Sequence, residues 1–199
     1  MTLRIVTVLA LLYTALHFAS SGVRQPFDHP NLGKFEEHAS PLREHLRTGA
    51  PVHSPNPAQY GPVFFFIMHP LIRSGLEGSA LATRLYVIQL LCIAGSFLLT
   101  CASLKPSMPV ASDGRWPLIV IWLAVIWLNF SPLYTIVALK SVETWELFLV
   151  SLALYARLRE WRWAAAFAIA AAGLIKVLPF VFLYYWLITD RRTFFYASI

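Results

Sequence analysis

An all-α fold, a bundle of helices that cross a membrane, is what this sequence predicts, and three observations predict it. The chain of 199 residues is 58% hydrophobic and only 13% charged, against roughly 25% charged in a soluble domain. Its apolar residues are gathered in runs of helical length, parted by short polar links. Most of its 16 Lys and Arg residues sit in those links, as expected when basic loops set orientation by the positive-inside rule. A nucleic-acid surface would instead gather Lys and Arg on one soluble face. The expected partner is therefore the lipid bilayer, and no nucleic acid is expected.

The first apolar run is Leu3 to Val23, with Arg4 at its start. Ala19-Ser20-Ser21-Gly22 is only a loose cleavage site. Because further apolar runs follow, this one reads as an uncleaved first transmembrane helix with its N-terminus inside. Residues 24–61 form the one long polar segment, an outer loop holding Arg24, Asp28, His29, Lys34, Glu36, Glu37, Arg43, Glu44 and Arg47. Within it, Ser40-Pro41 reads as N-cap and first helical residue. Leu42 and Leu46 share a helix face, and Gly49 stops the helix. This predicts a short amphipathic helix lying on the membrane surface.

Val63 to Ile72 is apolar but short of the roughly 20 residues a crossing needs, so it reads as a half-helix or interfacial insert. Leu85 to Leu104 is a clean span ended by Lys105-Pro106. Trp116 to Phe130 is the next span, and Leu133 to Leu139 a second short piece. The polar stretch Lys140 to Glu146 interrupts the apolar pattern before Leu147 to Tyr155, which runs into Arg157, Arg159 and Arg162. The last apolar run, Trp163 to Ile188, carries Gly173, Lys176 and Pro179 near its middle. If the arginines at both its ends are inside, it enters, turns near Lys176 to Pro179 and leaves. The rival is one long helix with a proline kink, and the residues leave both open. The whole reads as a single integral membrane domain over 1–199: first helix 3–23, outer loop 24–61, remaining membrane helices 62–189. The chain stops at Tyr196-Ala197-Ser198-Ile199 without a cap or tail signal, which predicts a domain incomplete at its C-terminus.

Four side chains are candidates for chemistry. Asp28, just past the first helix, is placed to act as a general base toward an acceptor hydroxyl; its plainer reading is a solvated loop acid. Lys140 and Glu143, with Glu146, break an apolar region where charge is costly and marks either a polar pathway or an interface. Lys176 has long apolar flanks and needs an anion or a wet cavity. A phosphate suits a lysine used as a point charge, and a structural pair with Glu143 or Glu146 is the competing reading. The histidines form no zinc set, so no metal is expected. There is no Gly-rich phosphate loop or nucleophile elbow, which argues against a nucleotide-driven pump. Cys92 and Cys101 read as free thiols within one apolar run.

Three segments, in order, carry a resemblance. They are Gln59-Tyr60-Gly61-Pro62-Val63-Phe64-Phe65-Phe66 with His69-Pro70-Leu71; Ser131-Pro132 followed by Ala138-Leu139-Lys140 and the polar stretch to Glu146; and Ala172-Gly173-Leu174-Ile175-Lys176-Val177-Leu178-Pro179. Together they resemble glycosyltransferase family 87, the polyprenyl-phosphate-mannose-dependent enzymes of the GT-C superfamily. The resemblance implies a multi-pass GT-C bundle in the bacterial inner (plasma) membrane. It implies transfer of a hexosyl, mannosyl-type unit from a polyprenyl phosphate to a hydroxyl on a glycolipid or polysaccharide acceptor at the outer face. The lipid-linked sugar is a co-substrate, and no cofactor is implied. Asp28 matches the family's acid by position. Lys140, Glu143 and Lys176 are the candidates for substrate contact, the two lysines on electrostatic grounds. The chain departs from the family at Ser141-Val142-Glu143-Thr144, where members commonly show Gly-Gln-x-Asn. It departs again at His29-Pro30-Asn31, which replace an aromatic pair, and members are generally much longer. The competing reading is a non-catalytic multi-pass protein, such as a transporter subunit or assembly partner, or an inactive truncated homologue.

Overall fold

The computed structural model describes residues 2–20, 34–49, 62–75, 78–108, 114–130, 136–137, 141–176 and 178–198. Every regular element among them is helical: α1 (Thr2–Ser20), α2 (Lys34–Thr48), α3 (Pro62–Arg73), α4 (Gly78–Leu104), α5 (Trp116–Leu128), α6 (Glu143–Leu158), α7 (Arg162–Ile175), α8 (Val181–Thr189) and α9 (Arg191–Ser198), with 3-10 turns at Lys105–Ser107 and Leu178–Phe180. The expectation of several full-length spans is met by one helix among the described residues, running through Ser79–Ser107 with a mean hydropathy of 2.1. Only 11% of its apolar window is buried in the fold, whereas the core helix of a soluble protein is covered by protein. Ile5–His17, Trp116–Leu128 and Arg162–Ile175 are apolar but shorter. Large apolar side chains stand exposed along the helices, Phe167 at 76% and Ile188 at 82%, a surface that water tolerates poorly.

Two small cores hold the helices together. In the first, Ala39 and Leu42 of α2 meet Met68 and Ile72 of α3, Leu81 and Leu85 of α4, Trp145 of α6 and Ile175 of α7. In the second, Ala153 and Ala156 of α6 face Ala165, Ala168 and Ile169 of α7, with Trp186 of α8 inserted beside them. Alanine faces let two helix axes approach closely, which is how helices associate where no hydrophobic effect separates them from lipid. Helices α4 and α6 run parallel. Gln89 reaches Ser141 at one end, and further along a Cβ on Gly95 would fall 2.7 Å from the ring of Phe148.

The predicted amphipathic helix forms, but with other bounds and another buried face. It begins at Lys34, and Pro41 lies inside it rather than at its start. A proline there costs roughly 3 kcal/mol, and the burial of Ala39 and Leu42 against α3 offsets it. Leu46 does not share the buried face: it is exposed while Leu42 is buried. The helix stops at Gly49 as expected, with φ at 73°. Helix α3 is a short element of 12 residues, in line with the half-helix reading. The polar stretch ahead of Leu147 divides: Ser141 and Val142 precede the helix, and Glu143 and Glu146 form the first turn of α6.

The long run Trp163 to Ile188 resolves into a hairpin. Helix α7 ends at Ile175, and Lys176 is extended with φ −149° and ψ 141°. Pro179 has no N–H to continue the ladder. Helix α6 points from Glu143 to Leu158. Lys176 contacts Glu143 at its start, and Asp190 contacts Arg157 at its end. The chain between Lys176 and Asp190 therefore travels back along α6, opposite to α7. The turn is tight, with the Phe180 ring lying on Gly173.

Candidate functional site

Helix ends build the polar cluster. The first turn of α6 supplies Glu143 and Glu146, where acidic groups suit the positive end of the helix dipole. Lys176 follows the last turn of α7, the end that suits a cation. The hairpin brings the two ends together, and Lys176 Nζ lies 2.8 Å from Glu143 Oε1. Their side chains are 36% and 28% exposed, so the pair sits at the edge of the protein interior. Ser141 Oγ donates to the other oxygen of Glu143. Gln89, buried on α4, donates from Nε2 to the Ser141 carbonyl at 2.9 Å. The chain Gln89–Ser141–Glu143–Lys176 thus ties three helices at one polar point.

An apolar cleft of about 520 Å³ opens beside it. Ile126, Trp127 and Phe130 form one wall, Leu147 and Val150 the other, and Glu143 and Glu146 sit within the lining. The buried Trp127 Nε1 has no hydrogen-bond partner among the described residues. Asn129 closes α5 and donates from Nδ2 to Thr14 Oγ1 at 2.7 Å, which draws α1 to the same end. A cation, two carboxylates and an indole N–H beside an apolar wall can hold an amphiphile by both its polar head and its apolar tail.

Of the residues expected to carry chemistry, Glu143 and Lys176 are brought into contact, while Asp28 and Lys140 lie outside the described residues. Among the described residues no group of His, Cys, Asp or Glu could hold a metal ion. Gln89 and Ser141 were not among the sequence candidates. The signal was present for one of them, since Gln89 is an amide inside an otherwise apolar span.

The opposite end carries a second polar cluster. Asp190 caps α9, accepting from the Thr193 hydroxyl at 2.5 Å and from its backbone N–H at 3.4 Å. Arg157 Nε lies 2.6 Å from the same carboxylate. The Thr193 hydroxyl first, then its N–H and the charges of Arg157 and Arg162, hold the Asp190 carboxyl below the usual carboxylate range against the opposing effect of burial.

Fold and cluster together define a protein that is helical throughout its described residues, with an exposed apolar surface and charge concentrated beside an apolar cleft. The profile of glycosyltransferase family 87 matches residues 58–199, and the chain belongs to that family. The match contains all three segments that carried the resemblance and begins after Asp28. No curated protein matches the chain, and no solved structure does.

Proposed function

We propose that this chain is a multi-pass membrane glycosyltransferase that moves a hexosyl unit from a polyprenyl phosphate to a hydroxyl acceptor at the outer membrane face. The observation that carries the reading is the Lys176–Glu143 pair standing beside the apolar cleft. A phosphate oxygen can take the place of the Glu143 carboxylate on Lys176, while the cleft walls of α5 and α6 take the isoprenoid tail. Asp28 serves as the base: it removes the acceptor proton, the hydroxyl oxygen attacks the anomeric carbon, and the lipid phosphate leaves with the bonding pair. The new linkage is inverted. A phosphate needs no proton to leave, so a single carboxylate suffices. Charge supports the orientation. This reading puts the end that carries Lys105, Arg157, Arg162 and Arg191 in the cytoplasm, where short basic links favour it, and the cleft mouth outside.

The test is transfer from a radiolabelled polyprenyl-phosphate mannose by membranes carrying wild type, Asp28→Asn or Lys176→Met at matched expression. The expected result is transfer by wild type and its loss in both variants. Equal transfer by Asp28→Asn removes Asp28 from the mechanism. Absence of transfer by wild type favours a non-catalytic role.

A further inference from the structure

At the end of the bundle away from Glu143 and Lys176, a second cavity of about 480 Å³ opens between α4, α6 and α8. Leu104, Leu154 and Leu158 give its wall apolar groups, and Ser103, Thr189 and Arg157 give it polar ones. Ser103 Oγ is buried with no hydrogen-bond partner among the described residues, and leaving such a group unsatisfied costs roughly 1–3 kcal/mol. Arg157 meets Asp190 through Nε. A guanidinium has five N–H donors in a planar fork, so this pairing engages one edge of it. The helix ends on this side carry Lys105, Arg159, Arg162, Arg191 and Arg192 against Glu160 and Asp190, which leaves this end net positive.

We infer that this cavity binds the phosphodiester headgroup of an anionic phospholipid from the adjoining leaflet. Arg157 and the Ser103 hydroxyl hold the phosphate oxygens, and an acyl chain lies along Leu104, Leu154 and Leu158. Lipid is chosen over free phosphate because the same cavity offers leucine side chains beside its polar groups. The helices forming the cavity also turn bare apolar side chains outward, Leu98 and Ile188 among them. Anionic headgroups are chosen over zwitterionic ones because basic pockets on the cytoplasmic side of membrane helices collect negative lipid. The inference uses no residue of the Glu143–Lys176 cluster and stands whether or not sugar transfer is detected.

The test is native mass spectrometry of the purified full chain in detergent. It is titrated with phosphatidylglycerol, phosphatidylcholine or inorganic phosphate. Wild type is compared with Ser103→Ala and with the double variant Arg157→Gln/Asp190→Asn, which removes the guanidinium without stranding its carboxylate. Phosphatidylglycerol is expected to bind in preference to phosphatidylcholine and to resist displacement by phosphate. Both variants are expected to bind it roughly tenfold more weakly or worse, the loss of one hydrogen bond to a charged group. Equal binding of the two lipids, unchanged binding in the folded variants, or displacement by inorganic phosphate each overturns the inference. If the double variant does not fold, Ser103→Ala decides alone.

Discussion

Alanine at position 173 asks whether the chain really reverses after Lys176. A Cβ built there would lie 2.4, 2.6 and 2.7 Å from three atoms of the Phe180 ring, so ring or backbone must move. Overpacking of this kind costs about 1–3 kcal/mol. Replacing a helical glycine with alanine returns about 1 kcal/mol. The balance makes Gly173→Ala destabilising by about 0–2 kcal/mol. In a Phe180→Ala background the ring is gone and only the helix contribution remains, so the same change stabilises by up to about 1 kcal/mol. The sign of the substitution reverses across the cycle. The assay is reversible unfolding of the four proteins in mild detergent, followed by tryptophan fluorescence. A straight helix with a proline kink places Phe180 about 10 Å along the axis from Gly173, beyond reach of a methyl group. Stabilisation by Gly173→Ala in both backgrounds would therefore refute the reversal and the site geometry that depends on it.

Three further predictions concern the polar clusters. Glu143→Gln is expected to lower sugar transfer less than Lys176→Met, and the double variant to lose no more than Lys176→Met alone, because the two act as a unit; initial rates in membranes measure the coupling. Gln89→Leu strands the buried Ser141 carbonyl and is expected to cost about 1–3 kcal/mol in detergent unfolding, with Gln89→Glu recovering part of the loss, since burial keeps that carboxyl protonated and able to donate. For Asp190, the native carboxyl value lies below the unfolded one. The stability this supplies is complete above the ordinary carboxylate value of about 3.9 and is lost as pH falls through the lower native value. Thr193→Val removes the largest cause of that shift and should flatten the acid limb of the melting temperature below about pH 4; an unchanged limb would show that the Thr193 hydroxyl does not hold the carboxylate.

Much of the helical plan was legible because it rests on local rules. Leu85 to Leu104 reads as a span from length and composition alone, and Gly49 ends its helix because the turn there needs a left-handed residue. Other features were not legible because contact between distant residues overrides local preference. Pro41 reads as a helix start on propensity, yet packing of Ala39 and Leu42 on α3 carries the helix through it. Lys140 to Glu146 reads as a break because its charges are out of place in an apolar run. In the fold Glu143 and Glu146 open a helix, where the dipole favours them. Gln89 was overlooked because its partner, the Ser141 carbonyl, is far away in sequence.

The sequence by itself determined that this protein is helical, that its helices carry lipid-compatible surfaces, and that Lys176 needs an anion or a wet cavity. Each follows from composition and from the cost of an unpaired charge in apolar surroundings. It also carried the ordered segments that place the chain in glycosyltransferase family 87. Only the tertiary structure decided whether Trp163 to Ile188 crosses once or turns back, and which anion Lys176 meets. Both outcomes hang on the contacts of Glu143 with Lys176 and of Arg157 with Asp190. These contacts join residues far apart in the chain, and the free energy of such a pairing is set by which helices pack together, a quantity no local pattern contains.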